Sequence, residues 1–280
     1  IKRMSTTTTE TQHHFYIETD MQTPELHSVA TGNVVACCRR CPDKLEPNDE
    51  SAGSVETSSG GSVLIVADGV GGCPLGYKAA AIAVKAVAET VADAETVADA
   101  EPMGGLRPAI LDGIERANEE ILDLGVGAAT TLAVVEIHNG KARAYQVGDS
   151  MTVIVGQRGA LKWKSTPHSP VGYAVESGML DEFEAMHHEE RHVVSNLVGS
   201  RSMHIEIGPS RVLSPRETVV LGSDGLFDNL HLDEVITLGR SGNPIERMES
   251  LTELAATRMT DFDPDLPGKP DDLTVLLYTA

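Results

Sequence analysis

Basic residues are scarce in this chain: 22 Lys plus Arg stand against 42 Asp plus Glu, a formal net charge of −20 over 280 residues. Such a balance repels nucleic acid and anionic lipid surfaces, and it favours basic partners or basic peptide substrates. Cysteine is equally sparse. Cys37, Cys38 and Cys41 crowd together and Cys73 stands apart, with no second CxxC pair for a zinc ribbon, so reduced structural thiols are expected. No apolar run approaches the roughly 20 residues that a membrane-spanning helix needs, and the first residues hold no secretory apolar core. A Walker motif is missing too. These absences lead to the expectation of a cytoplasmic monomer that binds neither nucleic acid nor membrane. With 41% hydrophobic residues the chain can bury a sizeable core, and one domain is expected.

What is present is organised around Ser62 to Gly72, SVLIVADGVGG. Val63 to Ala67 form a short continuous apolar run, the pattern of a buried strand, and it ends abruptly in Asp68. A carboxylate is thereby delivered to the rim of a sheet. Gly69, Gly71 and Gly72 follow, allowing close backbone approaches that a Cβ would hinder. The design recurs at Thr218 to Asp228, TVVLGSDGLFD, where the run ends in Asp224-Gly225. Two strand-end acids point to one metal site.

The remaining segments read in order as follows. Ile1 to His14 is polar and threonine-rich, the composition of a mobile tail. His27 to Arg40 supports one or two strands with Gly32-Asn33 as a turn signal, and Cys41 to Gly61 has the Pro, Asn, Asp, Ser and Gly of a surface loop. Leu75 to Glu101 is alanine-rich and predicts a long helix whose tail carries a tandem hexad, Ala88 to Asp93 repeated as Ala94 to Asp99. Leu106 to Leu124 predicts a second, amphipathic helix. Ala129 to His138 and Lys141 to Val147 flank Asn139-Gly140, a strong hairpin signal, and Met151 to Val155 is expected to continue the meander after Asp149. Ser165 to Glu190 lacks a clear period and reads as an irregular flap. Thr218 to Leu221 and Leu273 to Thr279 predict strands, and His231 to Leu238 and Ile245 to Met259 predict helices.

Five motifs stand in a telling order: Asp68-Gly69 with Gly71-Gly72, Thr130-Thr131-Leu132, Val147-Gly148-Asp149-Ser150, Ser223-Asp224-Gly225-Leu226-Phe227-Asp228, and Asp271-Asp272-Leu273-Thr274. In that order the chain resembles the PP2C family of metal-dependent serine/threonine phosphatases, from about Val29 to Ala280. The resemblance implies an α/β fold: a four-layer α-β-β-α sandwich with two central antiparallel sheets. It divides the chain into a flexible N-terminal tail, 1–26, and a catalytic domain, 27–280. It implies hydrolysis of phosphoserine and phosphothreonine in a phosphorylated protein substrate by a metal-activated water at two Mg²⁺ or Mn²⁺ ions, with a third ion possible. Asp68 would bridge two ions, Gly69 would give its carbonyl oxygen, and Asp224 and Asp271 would hold one ion. Asp149 corresponds to an acid serving the third. Asn48 and Asp49 fall where family members contact metal through water, and Lys44 falls where many carry a phosphate-gripping arginine. Val70 replaces a histidine that many members use as proton donor, and valine cannot donate. Asp228 and Asp272 are expected to cap or orient.

Rival readings rest on other residues. His188-Glu189-Glu190-Arg191-His192 matches HExxH, which on a helix would present two zinc ligands and a general base, but Val193 and Val194 turn the sequence strand-like at once. Gly69 and Gly71 after a strand are similar to a dinucleotide loop, yet Pro74 stands where that pattern wants glycine. A catalytically weak relative acting as a phosphoprotein-binding module is the third alternative, given Val70, Lys44 and Asn48. Retention of Asp68, Asp224 and Asp271 argues for turnover.

Overall fold

The computed structural model describes residues 12–97, 105–261 and 263–280. Strand β5 (Ser62–Asp68) explains its layering. Val63, Ile65 and Ala67 pack against helices, while Leu64 and Val66 point into the layer between two sheets. Side chains alternate with period two, so a strand covered on both faces must be apolar throughout.

Among the described residues the first sheet has the order β1 (His13–Ile17), β4 (Glu50–Glu56), β5, β6 (Leu132–His138), β7 (Lys141–Val147), β10 (Glu206–Ile207), and β11 (Arg211–Val212) also pairs with β7. The second runs β2 (Glu25–Val29), β3 (Gly32–Arg39), β13 (Leu273–Thr279), β12 (Thr218–Gly222), β8 (Met151–Val155), β9 (Leu161–Lys164). All pairings are antiparallel. Helices α1 (Gly76–Val97) and α2 (Arg107–Asp123) cover the outer face of the first sheet. Helices α5 (Asp224–Phe227), α6 (Leu232–Gly239) and α7 (Pro244–Thr260) cover the second. The result is the expected four-layer α-β-β-α sandwich. Among the described residues, no helix is long and apolar enough to cross a membrane.

Several expectations are corrected. The boundary at residue 27 moves, because β1 pairs with β4 from His13↔Val55 to Ile17↔Ser51, and Tyr16 and Met21 are buried. Of the expected tail only residues 1–11 lie outside the described residues. The loop read into Cys41 to Gly61 contains β4, buried from Glu50 to Val55 between β1 and β5. The two-residue turn between β2 and β3 is Ala30-Thr31, and Gly32-Asn33 open β3. Asn139 (φ 51°) and Gly140 (φ 67°) make the expected hairpin turn. Beyond it, β8 does not extend the meander: it belongs to the other sheet, so Asp149 sits at a crossing between sheets. The flap is more ordered than expected, with helices α3 (Pro170–Glu176) and α4 (Glu182–Met186). The second hexad is helical to Val97, and its end falls outside the described residues. Cys37 and Cys38 point to opposite faces of β3 and all four thiols are free, as expected.

Candidate metal centre

The acids gather at one end of the layer between the sheets. Position 68 continues the inward face of Leu64 and Val66, and Glu50 lies directly opposite Asp68 in the β4–β5 register. Asp224 follows β12 of the other sheet as the first residue of α5, and Asp271 precedes β13. Glu50, Asp68 and Asp224 each bring a carboxylate oxygen within 4.8 Å of the others.

Backbone packing explains the two Asp-Gly pairs. A Cβ on Gly69 would lie 2.4 Å from the carbonyl carbon and oxygen of Gly76, and one on Gly225 would lie 1.8 Å from the Asp272 oxygen. Only glycine admits these crossings. The paired threonines fix Asp68 from behind. Thr131 N–H and Thr130 Oγ1 both donate to the Asp68 carbonyl at 2.8 Å, Asp68 N–H donates to Thr131 Oγ1 at 3.2 Å, and Thr131 Oγ1 meets Ser150 Oγ at 2.7 Å.

Burial and mutual repulsion shape the electrostatics. Burial pushes the Asp68 carboxyl well above the usual range, and Asp224, Glu50, Asp271 and Asp149 push the same way. Glu50 is likewise raised by burial and by Asp271 and Asp272. Asp149 is raised to about 8 by burial, Asp224 and Asp228. Asp271 is raised to about 6 by burial and Asp224, with Lys269 opposing. Both Glu50 oxygens, Asp149 Oδ1 and Asp224 Oδ1 are buried without hydrogen-bond partners. Deprotonating so crowded a set requires compensating positive charge.

Five further residues named from the sequence surround the cluster. Asn48 is buried, accepting from Glu50 N–H at 2.9 Å and donating to the Thr19 carbonyl at 2.8 Å, so it secures the backbone, and the acid that meets Asp68 is Glu50. Lys44 Nζ pairs with Asp49 Oδ2 (2.7 Å) and Asp272 Oδ2 (2.5 Å), joining the three residues at the edge of the acid cluster. Asp272 orients, as expected, accepting also from Cys41 N–H and Asp49 N–H, each at 2.7 Å. Asp228 is the C-cap of α5 and turns its carboxylate to Lys269. Sequence reasoning missed Lys269, whose ammonium touches Asp224, Asp228 and Asp271.

A cavity of about 490 Å³ opens beside the acids, between the flap and α5–α6. Asp149, Asp224, Asp228 and Arg191 line it together with Phe183 and Leu232. The HExxH residues lie in turns after α4 rather than on a helix, so the geometry that pattern needs is absent from the described residues. Antiparallel pairing on both sides of β5 likewise removes the parallel βαβ context of a dinucleotide loop.

The family model described as protein phosphatase 2C matches residues 40–260. A putative protein phosphatase 2C-type from Streptococcus pyogenes is 27% identical over 241 residues, covering 84% of this chain and 92% of that protein. The structure of the serine/threonine phosphatase Stp1 from Staphylococcus aureus superposes with a TM-score of 0.75 at 18% identity, over 93% of this chain and 99% of that one. The catalytic domain of the serine/threonine protein phosphatase PstP, solved in complex with two manganese ions, gives 0.66 at 19% identity, over 88% and 96%. The solved structures at these identities speak for the fold, and the profile match over most of the chain goes further: this chain belongs to the protein phosphatase 2C family.

Proposed function

We propose that this chain hydrolyses phosphoserine and phosphothreonine in proteins at a centre for two Mg²⁺ or Mn²⁺ ions, with Asp149 serving a third. One observation carries the reading: Glu50, Asp68 and Asp224 converge from both sheets, and buried carboxylate oxygens among these acids and Asp149 have no hydrogen-bond partner. Such a set is unfavourable without a cation, and an all-oxygen donor set suits these two metals. Glu50, Asp68, Asp224, Asp271 and the Gly69 carbonyl are the groups that would hold the ions. When bound, the ions supply Lewis acidity, lowering the pKa of water and offsetting phosphate charge.

The chain's own residues orient and shield. Thr130 and Thr131 hold the Asp68 backbone, and Asp272 ties the segment carrying Lys44 and Asp49 to β13. Arg191 lines the cavity with its guanidinium donating to the Met186 and Gly268 carbonyls, and its positive charge favours an anionic substrate there. The Val70 side chain has no proton to give, so another group must protonate the departing alkoxide. The net charge of −20 favours basic sequence around the phosphorylated residue.

The test is hydrolysis of a phosphothreonine peptide by metal-stripped protein. Turnover is expected to vanish in chelator and return with Mn²⁺ or Mg²⁺. Undiminished hydrolysis in chelator would overturn the metal reading, and peptide binding without turnover in Mn²⁺ would favour the phosphoprotein-binding alternative.

A further inference from the structure

The acid cluster already holds a cation of the chain's own. Lys269 Nζ is ion-paired with Asp224 Oδ2, lies 3.0 Å from Asp271 Oδ2 and 3.1 Å from Asp228 Oδ2. The ammonium hydrogen-bonds to Asp224 and lies within ion-pair distance of the other two carboxylates. The placement is built into the backbone. Lys269 N–H donates to Asn229 Oδ1 at 2.7 Å, and its carbonyl accepts from Asn229 Nδ2 at 2.9 Å. The same Nδ2 donates to the Gly225 carbonyl at 2.9 Å, and Asn229 is fully buried. The lysine backbone is therefore clasped to the helical turn that carries Asp224 and Asp228.

Two of its three partners, Asp224 and Asp271, are acids that the proposed centre needs. An ammonium and a divalent ion cannot occupy the same space between these carboxylates, and each removes the repulsion that the other would otherwise neutralise. We infer that Lys269 is a tethered cation that competes with a divalent ion for the Asp224–Asp271 side of the centre. It neutralises that side in the metal-free protein and swings away when the side is loaded. The inference rests on the metal-centre reading given above. Its consequence is a metal-free state that is already partly neutralised, and weaker metal binding on that side than its acids alone would give.

The test compares Mn²⁺ titration by calorimetry, metal content per chain, and melting in chelator for the wild type, Lys269→Gln and Lys162→Gln. The last removes an equal charge from the exposed side of β9. Lys269→Gln is expected to bind Mn²⁺ roughly tenfold more tightly, or to take up one more ion per chain, and to melt lower in chelator. Lys162→Gln should match the wild type in all three. A second measurement needs no variant: amine acylation of the wild type, mapped by mass spectrometry, should find Lys269 protected in chelator and several-fold more reactive in saturating Mn²⁺. Equal Mn²⁺ binding by Lys269→Gln and wild type would overturn the inference, as would an equal gain in Lys162→Gln or unchanged Lys269 labelling. If no form binds Mn²⁺, the metal-centre reading fails and this inference with it; if the wild type binds and Lys269→Gln does not differ, this inference alone fails.

Discussion

Glu50 and Asn48 stand two positions apart, yet one faces the acid cluster and the other ties down the backbone. The difference follows from β4: Glu50 is its first residue and pairs with Asp68, whereas Asn48 precedes the strand and bonds to Thr19 and to Glu50 N–H. Glu50→Gln and Asp68→Asn should each weaken Mn²⁺ binding and lower kcat by roughly a hundredfold or more. In chelator both variants should melt at or above the wild-type temperature, because each removes a buried charge whose neighbours repel it. Asn48→Ala should do the opposite. It leaves a buried N–H unpaired, costing about 1–3 kcal/mol, and should leave Mn²⁺ affinity close to wild type. Calorimetry and melting in chelator check all three, and strong loss of Mn²⁺ binding in Asn48→Ala alone would reverse the assignment. Asp68 and Asp224 were legible because apolar runs stop dead at them. Glu50 was not: Asn48, Asp49 and Glu50 are three polar candidates in a row, and only strand register chooses among them. Lys269 was less legible still, since no sequence pattern places an ammonium among acids contributed by α5 and the approach to β13.

At the scale of elements, β4 was hidden by its composition. Ser51, Ala52, Gly53 and Ser54 have turn-like chemistry, but all are buried in a strand that runs between β1 and β5 under α1. Small residues let α1 approach: a Cβ on Gly53 would lie 3.0 Å from Val84 Cγ1. The flap was legible as a unit but not its attachment, which runs through His168. This fully buried ring accepts from Gly148 N–H (3.1 Å) and Asn196 Nδ2 (2.9 Å) at Nδ1, so its proton sits on Nε2, which faces Glu206 at 3.0 Å. Burial lowers its pKa, consistent with a neutral ring. Gly148 precedes Asp149, so His168 positions the turn that delivers that acid. His168→Ala should lower the melting temperature, through an unpaired buried N–H worth about 1–3 kcal/mol, and raise the Mn²⁺ concentration needed for half-maximal turnover. His168→Gln, which can still accept, should recover part of both. A melting loss with an unchanged Mn²⁺ requirement would reduce His168 to a purely structural role.

Over the whole molecule, the layers were legible because doubly covered strands need unbroken apolar runs and their helices need a 3.6-residue period. The edge was not legible, because the two sheets are latched there by polar rings. His14 of β1 stacks on His27 of β2 at 3.9 Å, and His27 Nε2 meets Ser54 Oγ of β4 at 2.7 Å. This latch makes residues read as tail part of the sandwich, and it gives stability a pH dependence. Burial, and then the neighbouring His14 ring, lower the His27 pKa from the ordinary 6.5 to about 4. Between those values the unfolded chain binds a proton that the folded chain refuses, so this contribution is full above about pH 6.5 and is lost as pH falls toward 4. Discounted for solvent screening of a half-buried ring, the loss is on the order of 2 kcal/mol. Crowded carboxylates of the proposed metal centre, raised in pKa, titrate over an overlapping range with the opposite sign, so the wild-type profile alone does not isolate the latch. The difference between wild type and His27→Gln does, because the acids are common to both and glutamine can still bond Ser54. Measured by denaturant unfolding in chelator, the wild type should lose stability relative to His27→Gln as pH drops from 7 to 4.5, with no change in their difference between pH 7 and 8. A difference constant across the whole range would show that His27 protonates freely in the folded protein and that the two sheets are not latched by a neutral ring.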